Sequence, residues 1–284
     1  TQNYQSISQI PLLLVVAVSG GSFIHNVIMI LRRLGNKSKI AHEIIKYFPQ
    51  HEIYIEPFFG AGGMFFNKPK AKINILNDLD NDVFNLFDLI KSNDIDLLEK
   101  LELTPYSEFV FQNWKEQQET ERVWKAIRFI YLSNFGFMGQ GSSLKLDSRN
   151  HKENAILNLR KTKDFLKDCS VKFTNNDFRK AIKSISLSEE NNKNRTFFYC
   201  DPPYLGTDNN YSNSFTEQDS VDLFDVLLST GCNFGISEFD NPFIIEQAEK
   251  RGLFVNVIGE RRNLKNSRTE ILITNYEKQK SLFD

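Results

Sequence analysis

The sequence predicts a mostly parallel α/β sheet of the nucleotide-binding kind, interrupted by an inserted helical subdomain. Three observations carry this. From Ile53 onward short apolar runs alternate with helical patterns, as in successive βα units. A glycine-rich turn follows the first run and a carboxylate follows the second. Between two such blocks, residues 96–168 read as helical and lack strand alternation. A chain of 284 residues and 33.0 kDa has room for one large domain with an insertion. At 40% hydrophobic and 25% charged residues, neither wholesale disorder nor a multi-span membrane protein fits.

The first run, Ile53-Tyr54-Ile55, breaks at Pro57 and enters Gly60-Ala61-Gly62-Gly63. The second, Ile73-Asn74-Ile75-Leu76, ends at Asn77-Asp78, and Val83, Leu86, Phe87 and Ile90 then share one helix face. In the inserted stretch Trp124, Ile127, Phe129, Ile130 and Leu132 are the expected core. Parallel-sheet patterning resumes at Phe197-Phe198-Tyr199-Cys200. Ser214-Phe215-Thr216-Glu217 then reads as a capping box opening a helix. A strand over Asn233–Ser237 precedes a helix begun by Asn241-Pro242 and ended by Gly252. Two last strands, Leu253–Ile258 and Ile271–Tyr276, flank a basic loop and form a hairpin. The expected division is an N-terminal extension over 1–30, a sheet domain over 31–95 and 169–284, and an inserted helical subdomain over 96–168.

Cys169, Cys200 and Cys232 are an odd number without a C-x-x-C spacing, which disfavours both a disulfide framework and a zinc site. His25, His42, His51 and His151 lack ligand-like spacing, so no metal is expected. The apolar run Ile10–Val18 is about half the length a bilayer crossing requires, and no membrane association is expected. The formal net charge of −1 hides an asymmetry. Asp78–Glu121 carries twelve acidic against three basic residues, whereas Arg122–Lys180 carries thirteen basic against five acidic. The second stretch, at +8, is either a surface for polyanions or a solvated charged face.

Two turns carry chemistry. Glycines without side chains let backbone N–H groups approach a ligand, and Asp78 stands eighteen positions past Gly60, close to the spacing at which a carboxylate accepts ribose hydroxyls. Together they point to an adenosyl cofactor. The sharper signal is Asp201-Pro202-Pro203-Tyr204 at the end of an apolar strand, where open parallel sheets place their active sites. The prolines stiffen the turn, so the Asp201 carboxylate and the Pro202 carbonyl can act as two fixed acceptors beside the Tyr204 ring. Such a set suits a planar heterocycle with an exocyclic amino group. Cys200 reads as a small core residue.

Tyr54-Ile55-Glu56-Pro57-Phe58-Phe59-Gly60-Ala61-Gly62, followed about 140 residues later by Asp201-Pro202-Pro203-Tyr204, resembles the Dam-type (D12 class) adenine-N6 DNA methyltransferases. Leu34-Gly35-Asn36-Lys37 resembles the family's N-terminal glycine-lysine motif, and Asn77-Asp78 its ribose-binding acid. Asn134-Phe135-Gly136-Phe137 resembles its target-recognition region, Asn176-Asp177-Phe178 its adenine-binding Asp-Phe, and Arg268–Tyr276 its closing strand. The motif order is that of the family's α group. The resemblance implies a Rossmann-like methyltransferase sheet and S-adenosylmethionine as methyl donor. Lys37 would lie near the donor's carboxylate end, the Phe59–Gly63 turn around its methionine portion, Asp78 at the ribose, and Asp177 with Phe178 at the adenine. Arg33, Glu56, Gly60, Gly62 and Asp201 complete the expected cofactor set. Arg33 is a departure, because Dam-type relatives carry an aromatic residue four positions before the lysine.

Asp201, Pro202 and Tyr204 are the expected catalytic residues, acting on an adenine flipped out of double-stranded DNA. Expected DNA contacts are Lys145 and Arg149 in the +8 stretch and Arg261, Arg262 and Lys265 in the basic loop. Phe135 and Phe137 fit either core aromatics or wedges between bases. Two other readings stand beside this one: an RNA or protein N-methyltransferase, and a catalytically silent DNA-binding protein of the same fold. A cytoplasmic, prokaryotic or phage-encoded monomer or weak dimer, with a cognate restriction endonuclease as partner, completes the expectation.

Overall fold

The computed structural model describes residues 30–33, 35–136, 143–145, 150–186, 190–206, 215–262 and 267–278. Seven strands form one sheet: β1 Ile53–Glu56, β2 Ile73–Asn77, β3 Val171–Thr174, β4 Thr196–Cys200, β5 Asn233–Phe239, β6 Phe254–Arg262 and β7 Ser267–Thr274. Their order is β3-β2-β1-β4-β5-β7-β6. The first five pair in parallel, and β7 runs antiparallel between β5 and β6. The expected closing hairpin is present, with β7 rather than β6 next to the parallel strands. Chain order reverses across β1 and β4, and in open parallel sheets the crevice outside such a reversal holds the ligand.

Alternation within the strands divides the molecule into two cores. Tyr54, Leu76, Phe197, Tyr199 and Leu272 face one side, against α1 Ala41–Ile45, α2 Asn81–Lys91, α5 Arg122–Phe135 and α6 His151–Lys167. Ile55, Phe198, Cys200, Ile236, Ile271 and Ile273 face the other, against α7 Phe178–Lys183, α9 Glu217–Thr230 and α10 Pro242–Lys250. Both faces are covered, so β4 reads as an unbroken apolar run.

The stretch between α2 and β3 is helical, as expected, with α3 Ile95–Leu103 and α4 Glu108–Glu116 preceding α5 and α6. Its core is centred on Ala126, Ile127, Ile130, Tyr131 and Phe135, whereas Trp124, Phe129 and Leu132 are only half-buried. These residues join the same apolar cluster as one face of the sheet. The opening of α9 differs from the expectation: Thr216 is the cap, its hydroxyl accepting from Asp219 N while the Asp219 carboxylate takes Thr216 N. Strand β3 was not expected. It has four residues, none fully buried, and Lys172 is exposed, so it carries little apolar pattern. Short α8, Glu190–Asn194, leads into β4. Among the described residues no helix is long and apolar enough to cross a membrane.

Candidate active site

The turn after β1 is built for close approach. Gly60 and Gly62 have φ of 55° and 73°, a region that L side chains rarely adopt, and a Cβ on Gly62 would stand 2.5 Å from the Phe66 ring. A Cβ on Gly63 would meet Asn36 Oδ1 at 2.2 Å. Gly63 therefore admits the segment that carries Lys37. Asn36 caps the single 3-10 turn Lys37–Lys39 by accepting from Ser38 N at 2.9 Å.

Asp78, at the end of β2, closes onto the glycine turn. Its Oδ2 accepts from Gly60 N at 2.6 Å and its Oδ1 from Asp80 N at 2.9 Å. Burial pushes the Asp78 carboxyl up, opposed by those two N–H groups and by Arg33. Arg33 reaches the site indirectly: its guanidinium pairs with Asp80 at 2.8 Å. Arg32 N donates to Ser133 Oγ, which donates back to the Arg32 carbonyl, and the Asn134 side-chain amide donates to the Ile30 carbonyl, fastening this segment to the end of α5. Asn175 donates to the carbonyls of Asp78 and Leu79, and Asn77 bridges Pro57 and Asn176, so the loops after β1, β2 and β3 form one rim. Glu56 is buried beneath it, accepting from Tyr54 Oη at 2.9 Å. Burial holds its carboxyl well above the usual range, and the charges of Asp201 and Asp78 add to this.

Asp201 follows β4 directly, across the reversal from the glycine turn. Its Oδ1 lies 3.2 Å from the Lys37 ammonium, which is 2% exposed and also 2.9 Å from Glu270 Oε1 on β7. Tyr204 Oη accepts from Lys37 and donates to Glu270 at 2.5 Å. The Tyr204 ring meets Phe239 edge-to-face at 4.6 Å between centroids. Asp201 keeps 22% of its side-chain surface. Burial raises its carboxyl above the ordinary value, and Lys37 opposes the shift. Lys37 thus sits on the acceptor turn, tying the N-terminal segment, β4 and β7 together at one point.

Two acids in this cluster escaped the sequence reading. Glu270, just before the apolar Ile271-Leu272-Ile273 of β7, is 1% exposed, and Glu238 on β5 is likewise 1% exposed. Glu238 accepts from Phe239 N at 2.8 Å and Leu205 N at 3.4 Å, and burial pushes its carboxyl up to about 8. The available signal was a charge inside a strand covered on both faces, which is costly unless something repays it.

These features belong to a known family. The family model of the D12 class N6 adenine-specific DNA methyltransferases matches residues 34–277. The chain belongs to that family. It is 24% identical over 251 residues to a DNA adenine methylase of Vibrio cholerae, covering 82% of this chain and 88% of that one. It is 30% identical over 188 residues to the DNA adenine methylase of Haemophilus influenzae, covering 61% and 63%. The type II methyltransferase M1.LlaDCHI of Lactococcus lactis subsp. cremoris is 24% identical over 275 residues, covering 85% and 93%. The resemblance read from the motifs is borne out, and the protein is an adenine-specific DNA methyltransferase rather than an RNA or protein methylase or a silent binder. A methyltransferase of this family implies S-adenosylmethionine as donor.

In this D12 methyltransferase several of the expected site side chains lie in the core or in local hydrogen bonds. Phe59 is 3% exposed, locked edge-on against Phe65, Phe66, Phe87 and Phe173, so its ring is core. Phe135 is 1% exposed, its ring 4.4 Å from Tyr131 and 4.9 Å from Tyr106, and is core rather than a wedge. Phe178 is buried between Phe58 and Phe215. Asp177 caps α7 through Arg179 N, and its other oxygen meets the Arg179 guanidinium at 3.1 Å. Lys145 is half-buried, its ammonium donating to the Asn134 carbonyl at 2.8 Å, which turns it inward. The backbones of Arg261 and Arg262 end β6. Phe137, Arg149 and Lys265 lie outside the described residues.

Proposed function

We propose that this chain methylates N6 of an adenine flipped out of a specific double-stranded DNA site, with Asp201 and the Pro202 carbonyl as acceptors for the amino group. The observation that carries the reading is the placement of Asp201. Its partly open carboxylate stands at the end of β4, across the strand-order reversal from the glycine turn, with a buried cation beside it.

The residues present fit an adenosyl donor. A side chain on Gly60 would enter open space beside the turn, and each Asp78 oxygen accepts one backbone N–H, leaving a lone pair on each for a diol. Gly60, Gly62 and Asp78 would hold the donor's methionine and ribose portions, with Asp177 toward its adenine. When bound, the donor supplies an electrophilic methyl group on a sulfonium. The adenine N6 lone pair is delocalised into the ring, and hydrogen bonds from both N–H groups to Asp201 and Pro202 favour the pyramidal, attacking form. Transfer of that methyl group from sulfur to N6 would place positive charge on N6, which the Asp201 carboxylate is positioned to stabilise. The N6 proton leaves afterwards, to Asp201 or to water. A flipped base loses its stacking in the duplex, a cost on the order of a few kcal/mol that contacts in the site have to offset.

DNA is the macromolecular substrate, so a cytoplasmic location follows. A restriction endonuclease cutting the same site is the partner to seek, because one relative is named a type II methyltransferase. The monomer or weak dimer expected from the sequence is retained. The test is incubation of the protein with S-adenosylmethionine and a plasmid library, mapping modified bases by sequencing. N6-methyladenine confined to one sequence motif is the expected result, and modification of cytosine or of none overturns the reading.

A further inference from the structure

The Asp201 carboxylate has to remain an anion in effect, not only in name, if it is to stabilise positive charge on N6. Lys37 works against that. At 3.2 Å, and 2% exposed, its ammonium would cancel most of the Asp201 charge as seen from the neighbouring amino group. Glu270 answers this problem in the geometry. It reaches the same ammonium from the antiparallel strand β7 at 2.9 Å, and through the same oxygen it accepts a hydrogen bond from the Tyr204 hydroxyl.

We propose that Glu270 is a positioning residue for methyl transfer: it neutralises Lys37, so that Asp201 presents its full charge to N6, and it fixes Tyr204 on the acceptor turn. Glu270 touches neither base nor donor; it acts through Lys37 and Tyr204. The inference rests on the function proposed above and adds a residue that the motifs did not assign.

Sheet topology makes the arrangement possible. Glu270 pairs with Phe239 across β5–β7, opposite the strand end that carries Glu238. Only an antiparallel strand inserted beside β5 delivers a carboxylate from its own early residues to the carboxyl edge of the parallel strands, because its direction is reversed. A parallel strand would present its last residues there. Lys37, in turn, is brought in by the capped turn that Gly63 admits. Among the described residues the cluster therefore has one cation, Lys37, held by one acid from the turn after β4 and one from β7. Its charge balances in favour of the acceptor only if both acids are present.

The proposal makes a signed claim about pH. The groups facing Asp201 are Lys37 from the 3-10 turn, Glu270 from β7, Glu238 from β5, Glu56 from β1, and Tyr199, Cys200 and Tyr204 from its own strand and turn. Among them Glu270 holds the Asp201 carboxyl up and Lys37 holds it down. Glu270→Gln keeps an acceptor for both partners but removes the charge. Asp201 then ionises more easily while its charge is cancelled, so the acidic limb of the kcat profile moves to lower pH as the plateau falls. A residue that only packs would not move the limb in that direction.

The experiment measures kcat and KM for a cognate duplex across pH 4.5–9, an interval on the order of the ordinary carboxylate range upward, for wild type, Glu270→Gln, Lys37→Met and the double variant. Far-UV circular dichroism and calorimetric affinity for S-adenosylmethionine check that each variant is folded. Glu270→Gln is expected to lower kcat about tenfold or more, with donor affinity within about twofold of wild type and the acidic limb shifted down. The double variant is expected to be no slower than Glu270→Gln alone, because the cation that Glu270 restrains is gone. An unmoved limb, or a double variant slower by the product of the two single losses, overturns the proposal. Wild-type protein that methylates no adenine fails the functional reading instead, so the two failures are distinct.

Discussion

The two turns at the carboxyl edge of the sheet lie across a single pair of strands, yet they are held in opposite ways. The glycine turn after β1 is fixed by shape and backbone: positive-φ glycines, the Gly60 N–H on Asp78, and a rim of asparagine bonds between loops. The Asp201 turn after β4 is fixed by charge, through one buried ammonium shared with Glu270 and Tyr204. A turn that binds a donor must be the right shape before the donor arrives. A turn that stabilises a developing cation must hold the right charge in a place that water screens poorly. The difference predicts that changes at the first turn read out as affinity and changes at the second as rate.

The largest expected effect is at the second turn. Asp201→Ala removes the carboxylate from the growing charge on N6, and kcat should fall on the order of a thousandfold, as for loss of a preorganised electrostatic group. Affinity for DNA should stay within about twofold, since the carboxylate does not contact the phosphate backbone in this reading. Single-turnover methylation by the variant near the wild-type rate would remove Asp201 from the chemistry.

At the first turn the sign of the comparison inverts. Asp78→Ala removes the acceptor for two hydroxyls and the anchor of Gly60 N–H. A lost charge-assisted hydrogen bond is worth roughly 1.5–3 kcal/mol, so calorimetric affinity for S-adenosylmethionine should drop about ten- to a hundredfold. At saturating donor, kcat should change far less than in Asp201→Ala. Unchanged donor affinity would take Asp78 out of the site.

How much of this was legible in the sequence follows the same division. The glycine turn, Asp78 and the Asp201 turn were readable because each is local: a strand, a break and a carboxylate lie within a few residues of one another. Glu270 and Glu238 were not, because their meaning depends on an antiparallel insertion that brings β7 beside β5, and sequence spacing does not encode strand order. The ring of Phe59 could not be placed from its motif, and Phe135 fitted core or wedge alike, for a related reason. Both lie inside functional-looking motifs, but their rings turn away from the motif into the aromatic clusters that support it. Strand β3, four residues with an exposed lysine, carries no alternation that could separate it from the preceding helix.

A smaller effect sharpens the charge side of the comparison. Glu238 is held up to about 8 by burial, whereas an unfolded glutamate titrates near 4.5. Between those values the folded protein keeps a proton that the unfolded chain has released. The stability contributed by Glu238 is therefore complete below pH 4.5 and lost as pH rises toward 8. The slope is at most about 1.4 kcal/mol per pH unit in that window. Glu238→Gln, which is neutral in both states, should flatten it, so that denaturant melts of variant and wild type diverge more at pH 8 than at pH 5, values on the order of the window's ends. Parallel melts at both pH values would mean that Glu238 is ionised in the fold.

The smallest effect concerns the DNA, and it separates two basic residues that the sequence treated alike. Each phosphate neutralised by a Lys or Arg releases condensed counterions, so the logarithm of affinity falls with the logarithm of salt in proportion to the number of contacts. Arg262 ends β6 at the sheet end that carries the closing hairpin's loop, while Lys145 spends its ammonium on the Asn134 carbonyl. Arg262→Ala should therefore reduce the salt slope by about one and weaken binding to all duplexes alike. Lys145→Ala should leave the slope within error and instead lower stability, by about 0.5–1.5 kcal/mol for one lost hydrogen bond. Fluorescence titrations of a labelled duplex at several salt concentrations measure both. Equal slopes for wild type and Arg262→Ala would move the duplex away from the β6–β7 end. A reduced slope for Lys145→Ala would mean that its ammonium leaves Asn134 and turns outward when DNA docks, making the end of α5 part of the phosphate track.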